Sequence, residues 1–201
     1  DEVEKIIGPN IMLWSASFFI KNPGSNSYVS WHQDSTYWGL KPQEIVTAWL
    51  AFTPSKSSNG CMQVIPGSHL RGQFAHKDTF SDENLLSRGQ EIAVDISNEK
   101  VVDLELNPGE MRLHHVRIFH GSRNNLSNSA RIGFAIRYIP ASTFQEGGRT
   151  FAELVRGRDL FNNFDTPRAP AFEMGKEEWA MHQESIRRLN DILLDGTAKQ
   201  S

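Results

Sequence analysis

Residues 45–68, IVTAWLAFTPSKSSNGCMQVIPGS, place two short apolar runs on either side of a polar turn. The first run, residues 45–53, is rich in β-branched and aromatic side chains, which favour strands. Asn59-Gly60, just before the second run, is typical of a tight turn. Short strands at this spacing indicate antiparallel pairing and not strands joined by crossover helices. The stretch therefore predicts two strands of an antiparallel sandwich or jelly roll.

The same pattern recurs along the chain. Further strands are predicted at residues 11–21, 61–68, 100–115 and 130–140. Helix is predicted mainly near the end, over residues 176–194, where apolar residues recur at helical spacing and Gly196 offers a stop. Residues 161–175, with several aromatic residues and two prolines, are expected to form an ordered loop.

Length and composition indicate one domain with an ordinary core. The chain has 201 residues and a net charge of -3, so it offers no basic excess to bind nucleic acid. No run of eighteen apolar residues and no signal-peptide pattern is present, which argues against a membrane span or export. A single cysteine, Cys61, fits a reducing compartment, and we expect a cytoplasmic protein. Because the sequence begins at Asp1 and not at a methionine, we also expect a further N-terminal segment.

A candidate metal site lies in SWHQDSTYWG, residues 30–39. On a strand, residues two apart point to the same side, so His32 and Asp34 would converge. They would form two thirds of the two-histidine, one-carboxylate triad that binds non-haem iron. Taken alone the pair is weak, since a histidine at a strand end often only hydrogen-bonds a nearby acid.

The second half of the chain strengthens the metal hypothesis. His120 is followed by Gly121-Ser122, and Arg131 comes eleven residues after the histidine. If the two strands formed a hairpin, His120 and Arg131 would face one cavity. His120 would then complete the metal site, while Arg131 and the Ser122 hydroxyl would hold the far carboxylate of 2-oxoglutarate.

The sequence resembles the phytanoyl-CoA dioxygenase family of Fe(II)/2-oxoglutarate oxygenases from about residue 11 to residue 140. The matching pieces are WHQD, TAWLAFTPSKSSNGCMQVIPGSH, NPGEMRLHH and HGSRNN, followed by Arg131. The resemblance implies a mainly β, cupin-like double-stranded β-helix (jelly roll) with flanking helices, one of them C-terminal. Residues 1–201 would form a single oxygenase domain with a core over 11–140 and a C-terminal loop and helix over 141–201.

The resemblance also implies the site residues. Iron would be bound by His32, Asp34 and His120. The 2-oxoglutarate carboxylate would be held by Arg131 with Ser122. Gln33 and Trp49 would lie beside the co-substrate.

The implied activity is that of a 2-oxoglutarate-dependent dioxygenase, which uses O2 and hydroxylates an unactivated C–H bond with release of succinate and CO2. Related halogenases replace the carboxylate ligand with a small residue, so the presence of Asp34 favours hydroxylation. Tyr37, Trp38 and Arg137 are candidates to shape the substrate pocket. Packing is the stronger interpretation for the two aromatics, and a structural ion pair is equally plausible for the arginine.

The remaining histidines are expected to have structural or surface roles. His114 and His115 are adjacent, so at most one can turn inward. His69 is expected to serve structure or substrate contact, and His76 and His182 are expected at the surface.

Two other classes of protein stay open. A jelly-roll metalloprotein using zinc or manganese for hydrolysis or isomerisation would use the three metal ligands but would leave Arg131 and Ser122 without a role. A catalytically silent binding protein would be expected to lack a ligand, and none is missing. The expected partner is a small-molecule substrate, whose identity the sequence does not reveal; it also leaves the oligomeric state open.

Overall fold

The computed structural model describes residues 1–195, and the chain is mainly β. The two α-helices are α1 (Glu2–Ile7) and α2 (Lys176–Leu193). The strands are β1 (Ile11–Lys21), β2 (Val29–His32), β3 (Leu40–Lys41), β4 (Val46–Ala51), β5 (Met62–Val64), β6 (His76–Lys77), β7 (Glu91–Ile92), β8 (Val102–Leu104), β9 (Met111–His115), β10 (His120–Ser122), β11 (Arg131–Pro140), β12 (Phe144–Gln145) and β13 (Glu153–Arg156).

The chain divides into two compact units that alternate along the sequence. The larger unit contains Ala16–Thr36 and Val46–Arg137. The smaller unit contains Asp1–Ser15, Tyr37–Ile45 and the chain from Tyr138 onwards. Strands β1 and β11 each contribute residues to both units. The proposal of a single domain with a core over residues 11–140 stays a prediction.

The larger unit contains two sheets. In one, β1, β11, β4 and β9 lie side by side in that order, and β4 pairs antiparallel with β9. In the other, the order is β2, β10, β5 and β8, with antiparallel pairing throughout. A short two-stranded sheet of β6 and β7 belongs to the same unit. The antiparallel jelly roll expected from the sequence is thereby confirmed.

The core of the larger unit contains residues from both of its main sheets. The cluster is formed by Trp49, Ala51, Met62, Val64 and Ala135, all of which are buried. Because these side chains come from β4, β5 and β11, their burial joins the two sheets. Each large apolar side chain buried in this way contributes about 1.5–3 kcal/mol to folding.

In the smaller unit, the first residues of β1 pair antiparallel with β13, and β3 pairs with β12. Trp14 packs against Trp38 with the ring centroids 5.1 Å apart, and its indole nitrogen donates to Thr150. Helix α2 carries several exposed ion pairs, among them the pair of Arg187 and Glu184. No helix in the described range, residues 1–195, is long and apolar enough to cross a membrane.

Most predicted elements are present, with two differences. Strand β1 and helix α2 match the predicted ranges to within a residue, whereas the predicted strand over 100–115 is divided into β8 and β9 by the Pro108-Gly109 turn. In addition, residues Glu2–Ile7 form the short helix α1, where no element was predicted. Residues 161–175 contain no helix and no strand longer than an isolated bridge. Gly196, the expected helix stop, lies outside the described residues.

The predicted hairpin between the strands of His120 and Arg131 is wrong. His120 begins β10, between β2 and β5, whereas Arg131 begins β11, between β1 and β4. The eight residues between these strands carry the chain from one sheet to the other. The buried Asn125 amide stabilises this crossing, since its nitrogen donates to the backbone oxygens of Lys21 and Ser129. The two predicted site residues thus belong to opposite sheets of the larger unit.

Candidate active site

Three predicted ligands meet in the larger unit. One ligand atom from each of His32, Asp34 and His120 lies within 4.8 Å of the others. Nε2 of His32 is 3.1 Å from Oδ1 of Asp34, and Nε2 of His120 is 3.8 Å from the same oxygen. The two histidines are direct cross-strand partners on β2 and β10, which brings their ring centroids to 4.1 Å. This spacing suits three ligands of one metal ion.

Asp34 reaches this cluster by a different local structure from the one expected. Strand β2 ends at His32, and Asp34 begins a short 3-10 helix, Asp34–Thr36. The carboxylate still turns toward the histidine ring, because the chain bends directly after the strand. The predicted convergence of the two side chains is therefore present, although only one of them lies on a strand.

Both histidine rings are oriented for metal binding through Nε2. Nδ1 of His32 lies 2.8 Å from the backbone oxygen of Ser30, and Nδ1 of His120 lies 3.0 Å from that of Ile118. A carbonyl oxygen can only accept, so each ring carries its proton on Nδ1 when neutral. The Nε2 lone pairs then face the cluster, as they do in metal sites whose histidines are oriented by backbone carbonyls.

The charges of the cluster also fit a cation. Burial would raise the pKa of the Asp34 carboxyl, but the charge of His120 and a hydrogen bond from His32, donated by Nε2 when that ring is protonated, hold this pKa well below its usual range. Burial, together with the charge of His32, lowers the pKa of His120 to about 4. At neutral pH the cluster thus contains a carboxylate next to a neutral His120 imidazole, the forms in which these side chains bind a metal. The donor set fits Fe(II), which two histidines and one carboxylate hold while leaving other positions open.

Gln33 was predicted to lie beside the co-substrate. Its side-chain amide instead forms hydrogen bonds with the surrounding loops. Its amide nitrogen donates to the backbone oxygens of Gly72 and Arg117, and its oxygen accepts from Gln73 and from the backbone of Phe74. This exhausts the hydrogen-bonding capacity of the amide. The arrangement favours a structural role for Gln33, whose hydrogen bonds fix residues 32–34 against the neighbouring loops.

His76 also supports this segment, and its predicted surface position is wrong. It is half-buried on β6, and its Nε2 accepts the backbone N–H of Gln33 at 2.9 Å. His182, by contrast, is exposed on α2, as expected.

His114 and His115 point to opposite faces of β9, as predicted. His114 is buried, with its ring centroid 5.3 Å from that of His120. Burial holds its pKa well below the ordinary histidine value. His115 is only half-buried and contacts His69 with the ring centroids 5.5 Å apart. In the described chain, His114 is the neighbour of the metal cluster but not one of its three ligands.

Three cationic side chains lie around the predicted site of the co-substrate carboxylate: Lys21 and Arg131 are buried, and Arg112 is half-buried. Arg131 is 2% exposed, and its Nε has no hydrogen-bond partner in the described chain. Burial and the Arg131 charge together lower the pKa of Lys21 to about 7 and that of Arg112 to about 9. Lys21 donates to the Ser122 hydroxyl at 2.7 Å. Lys21 thus contacts Ser122 and lies near enough to Arg131 for the two charges to interact.

The indole ring of Trp49 contacts two of these cations. The guanidinium carbons of Arg112 and Arg131 lie 4.5 Å and 5.3 Å from its ring centroid. Trp49 and Arg112 are cross-strand partners on β4 and β9. On β11, a Cβ at Gly133 would lie 1.8 Å from the Trp49 ring, so only glycine allows the ring to lie on this strand. The tryptophan thus lies beside Arg131, and its predicted position next to the co-substrate stays a prediction.

Lys21 and Arg112 were missed in the sequence. Both lie on strands and alternate inward, at the end of β1 and near the start of β9, but single lysines and arginines in strands are common at solvent-exposed positions. For Lys21, one signal in the sequence was usable. Residues two apart on a strand face the same side, so continuing the alternation of β1 to its end places residue 21 on the inward face.

The three substrate-pocket candidates have separate surroundings. Arg137, in the larger unit, donates to Ser17 at 2.8 Å, and its guanidinium lies 5.9 Å from the Phe19 ring centroid. Burial lowers the pKa of Arg137, and the charge of Asp34 opposes this shift. In the smaller unit, Trp38 is buried and Tyr37 is half-buried. Roles for these three residues in substrate binding stay predictions.

Comparisons with curated proteins relate this chain to oxygenases. The chain is 29% identical over 147 residues to a probable alpha-ketoglutarate-dependent hypophosphite dioxygenase of Stutzerimonas stutzeri, covering 72% of this chain and 50% of that protein. It is 30% identical over 144 residues to the peroxisomal phytanoyl-CoA dioxygenase of Homo sapiens, covering 69% of this chain and 42% of that protein. The chain thus spans about half or less of the length of these relatives.

Solved structures extend the similarity. The apo form of the non-heme monooxygenase ThoJ superposes with a TM-score of 0.82 at 33% identity, covering 95% of this chain and 70% of that one. The non-heme alpha ketoglutarate dependent carbocyclase SnoK of nogalamycin biosynthesis gives a TM-score of 0.60 at 25% identity, covering 73% of this chain and 56% of that one. The sequence profile "Phytanoyl-CoA dioxygenase (PhyH)" matches residues 1–133, a range that includes the metal cluster and Arg131. With two thirds of its length inside that profile, the chain belongs to the phytanoyl-CoA dioxygenase family.

Proposed function

We propose that the protein is an Fe(II)- and 2-oxoglutarate-dependent dioxygenase that hydroxylates an unactivated C–H bond of a small-molecule metabolite. The observation that carries the proposal is that the His32, Asp34 and His120 cluster and the buried cations Arg131 and Lys21, unpaired in the described chain, occur in the same unit. A metal site alone would suit several chemistries. A metal site beside a buried anion pocket suits a reaction that needs a dicarboxylate co-substrate.

In this proposal, His32, Asp34 and His120 hold the iron through two Nε2 atoms and a carboxylate oxygen. Bound iron supplies the activation of O2, which is coupled to oxidation of 2-oxoglutarate to succinate and CO2. The balance is one O2 and one 2-oxoglutarate consumed for each C–H bond converted to C–OH. Because the backbone carbonyls of Ser30 and Ile118 hold the imidazoles in place, the ligand geometry is fixed before the metal binds.

Arg131 and Ser122 bind the distal carboxylate of 2-oxoglutarate in the proposal. The Arg131 guanidinium is buried and has no carboxylate partner in residues 1–195, so an anion bound beside it would compensate its charge. The buried Trp49 ring lies 5.3 Å from this guanidinium, and such low-dielectric surroundings strengthen the interaction with an anion. Arg137, Tyr37 and Trp38 remain our candidates for substrate contact.

The alternatives are disfavoured by the same pocket. A zinc or manganese hydrolase has no use for the cationic groups around Trp49, and their burial without acidic partners would only destabilise the fold. The matched relatives are named for oxygenase activities in the cases described above. The predicted cytoplasmic location stays a proposal.

Stoichiometry tests the proposed function. The protein is loaded in turn with Fe(II), Mn(II) or Zn(II), and the consumption of O2 and 2-oxoglutarate and the release of succinate are measured with a panel of small metabolites. We expect equimolar consumption and release with Fe(II) alone, with an added oxygen atom in one metabolite. Hydrolysis or isomerisation of a metabolite with Zn(II) or Mn(II), and no succinate with Fe(II), would instead support the hydrolase or isomerase class.

A further inference from the structure

Lys21 is a fully buried lysine at the end of β1. It is 0% exposed, and its ammonium donates to the Ser122 hydroxyl at 2.7 Å and to the backbone oxygen of Arg123. It forms no ion pair with a carboxylate in the part of the chain that the structure describes. A buried charge without an acidic partner is costly, so its presence calls for an explanation other than stability.

The surroundings of Lys21 are cationic. The Arg131 guanidinium is close enough to influence Lys21, and Arg131 and Arg112 flank the Trp49 ring at 5.3 Å and 4.5 Å. None of these three cations pairs with an acid within residues 1–195. The fold therefore concentrates positive charge where the proposed function needs an anion to bind.

The bond between Lys21 and Ser122 also decides which way the hydroxyl points. An anion bound at this site would favour the charged form of Lys21. That ammonium group can only donate, so Ser122 accepts through an oxygen lone pair. Its own proton is then free to donate to another group. In the described chain this hydroxyl has no acceptor, although Ser122 is 8% exposed and largely shielded from water.

We propose that Lys21 is a positioning residue for the co-substrate: it orients the Ser122 hydroxyl as a donor to the distal carboxylate of 2-oxoglutarate and adds a second positive charge beside Arg131. The inference rests on the proposed function. It goes further because it assigns a role to a residue that does not belong to the predicted anchor. The carboxylate would receive one hydrogen bond from Ser122, preset by Lys21, and a charge-assisted pair from Arg131.

The closing experiment measures binding and not turnover. Dissociation constants of 2-oxoglutarate and of 2-oxopentanoate, which has a methyl group in place of the distal carboxylate, are measured by calorimetry on the Fe(II)-loaded protein without O2. The variants are Lys21→Met, Ser122→Ala and the double variant. Lys56→Met is the control, since Lys56 is a surface residue 3.7 Å from Glu105.

We expect Lys21→Met to weaken 2-oxoglutarate binding by about ten-fold to a hundred-fold while changing 2-oxopentanoate binding by less than about three-fold. The double variant should be no weaker than Lys21→Met alone by more than about two-fold, because Lys21 acts partly through Ser122. Lys56→Met should leave both constants unchanged. Should Lys21→Met fail to fold, Lys21→Gln, whose amide can still donate to Arg123, is measured with the same expectation.

The inference is overturned if the Lys21 variant binds 2-oxoglutarate as the wild type does, if it loses both keto acids equally, or if the losses from Lys21 and Ser122 multiply. Its failure is distinguishable from failure of the proposed function. If the wild type binds neither keto acid, the proposed function fails. If the wild type prefers 2-oxoglutarate and the Lys21 variant keeps that preference, only the role of Lys21 fails.

Discussion

Nε2 of His32 lies 3.1 Å from Oδ1 of Asp34, while Nδ1 of the same ring is held 2.8 Å from the backbone oxygen of Ser30. One ring thus connects the backbone of β2 with the carboxylate that follows it. The second histidine, His120, repeats the arrangement from the neighbouring strand through the backbone oxygen of Ile118. The protein therefore holds the two candidate histidine ligands in place by Nδ1 hydrogen bonds that a metal bound at Nε2 would not disturb, whereas the contact between His32 and Asp34 would give way to the metal.

Removal of one ligand should abolish metal binding without unfolding the protein. For His120→Ala we expect Fe(II) or Ni(II) affinity to fall by more than about a hundred-fold, because two ligands remain where three are needed. The free energy of unfolding of the chelator-treated protein should change by no more than about 2 kcal/mol. Calorimetric titration with the metal and chemical denaturation measure the two effects.

The exposed His182→Ala is the matched control for this variant and should bind metal as the wild type does. Wild-type affinity in His120→Ala would remove His120 from the metal site.

Removal of the Arg131 charge should affect the co-substrate and spare the metal. In Arg131→Leu we expect the 2-oxoglutarate concentration needed for half-maximal turnover to rise by at least about ten-fold, because the carboxylate loses a charge-assisted pair. Metal affinity should stay within about three-fold of the wild type. Steady-state kinetics and metal titration on the same preparations measure both quantities, and an unchanged 2-oxoglutarate requirement would argue against this anchor.

The close approach of Trp49 to β11 should make Gly133 intolerant of any side chain. A Cβ at residue 133 would lie 1.8 Å from the ring, so we expect Gly133→Ala to lower the free energy of unfolding by about 1–3 kcal/mol. Combined with Trp49→Ala, the same substitution should have little further cost, since the ring is gone. Urea denaturation of the single and double variants measures the coupling.

Gly148→Ala is the control for this pair, because a Cβ there meets its nearest described atom at 3.5 Å. A cost at Gly133 that persists in the Trp49→Ala background would show that the ring is not the cause.

The stability of the metal-free protein should fall on acidification between about pH 6.5 and pH 4. Burial and the charge of Arg117 lower the pKa of His115 to about 4, and the pKa values of His114 and His120 are lowered as well. In this window the unfolded chain takes up protons that the folded chain does not, so stability is lost as the pH falls. Thermal or urea denaturation of chelator-treated protein across this range measures the slope.

His115→Gln should make that slope shallower, because one of the protons is no longer taken up, and the glutamine oxygen can still accept the Arg117 N–H that His115 accepts. The exposed His182→Gln should leave it unchanged. An identical slope in His115→Gln would mean that His115 does not contribute.

The three candidate metal ligands could be selected from the sequence because the residue types and the resemblance are local signals, and the structure brings these side chains together. The backbone conformation around them could not be predicted from these local signals. Asp34 converges on His32 from a 3-10 helix and not from the expected strand. The hairpin expected between the strands of His120 and Arg131 does not form, because the eight residues between β10 and β11 can either turn back or cross to the other sheet. The choice depends on buried partners such as Asn125, which no short window of sequence reveals.

It was equally hard to predict which side chains of the strands face the interior. Trp49 and Arg112 meet as cross-strand partners, but that register is set by pairing of β4 with β9 across sixty residues of chain. A lysine at the end of a strand, such as Lys21, is usually exposed. Its burial follows from the crossing segment, where the backbone oxygen of Arg123 accepts a hydrogen bond from its ammonium group.

The most direct test of the central claim is the absorbance of the protein mixed with Fe(II) and 2-oxoglutarate in the absence of O2. A keto acid chelated to iron in the site gives a weak visible charge-transfer band. We predict this band in the wild type, and its loss in His120→Ala. A wild-type protein that binds Fe(II) and yet develops no band at saturating 2-oxoglutarate would contradict the assignment of this site to a 2-oxoglutarate-dependent dioxygenase.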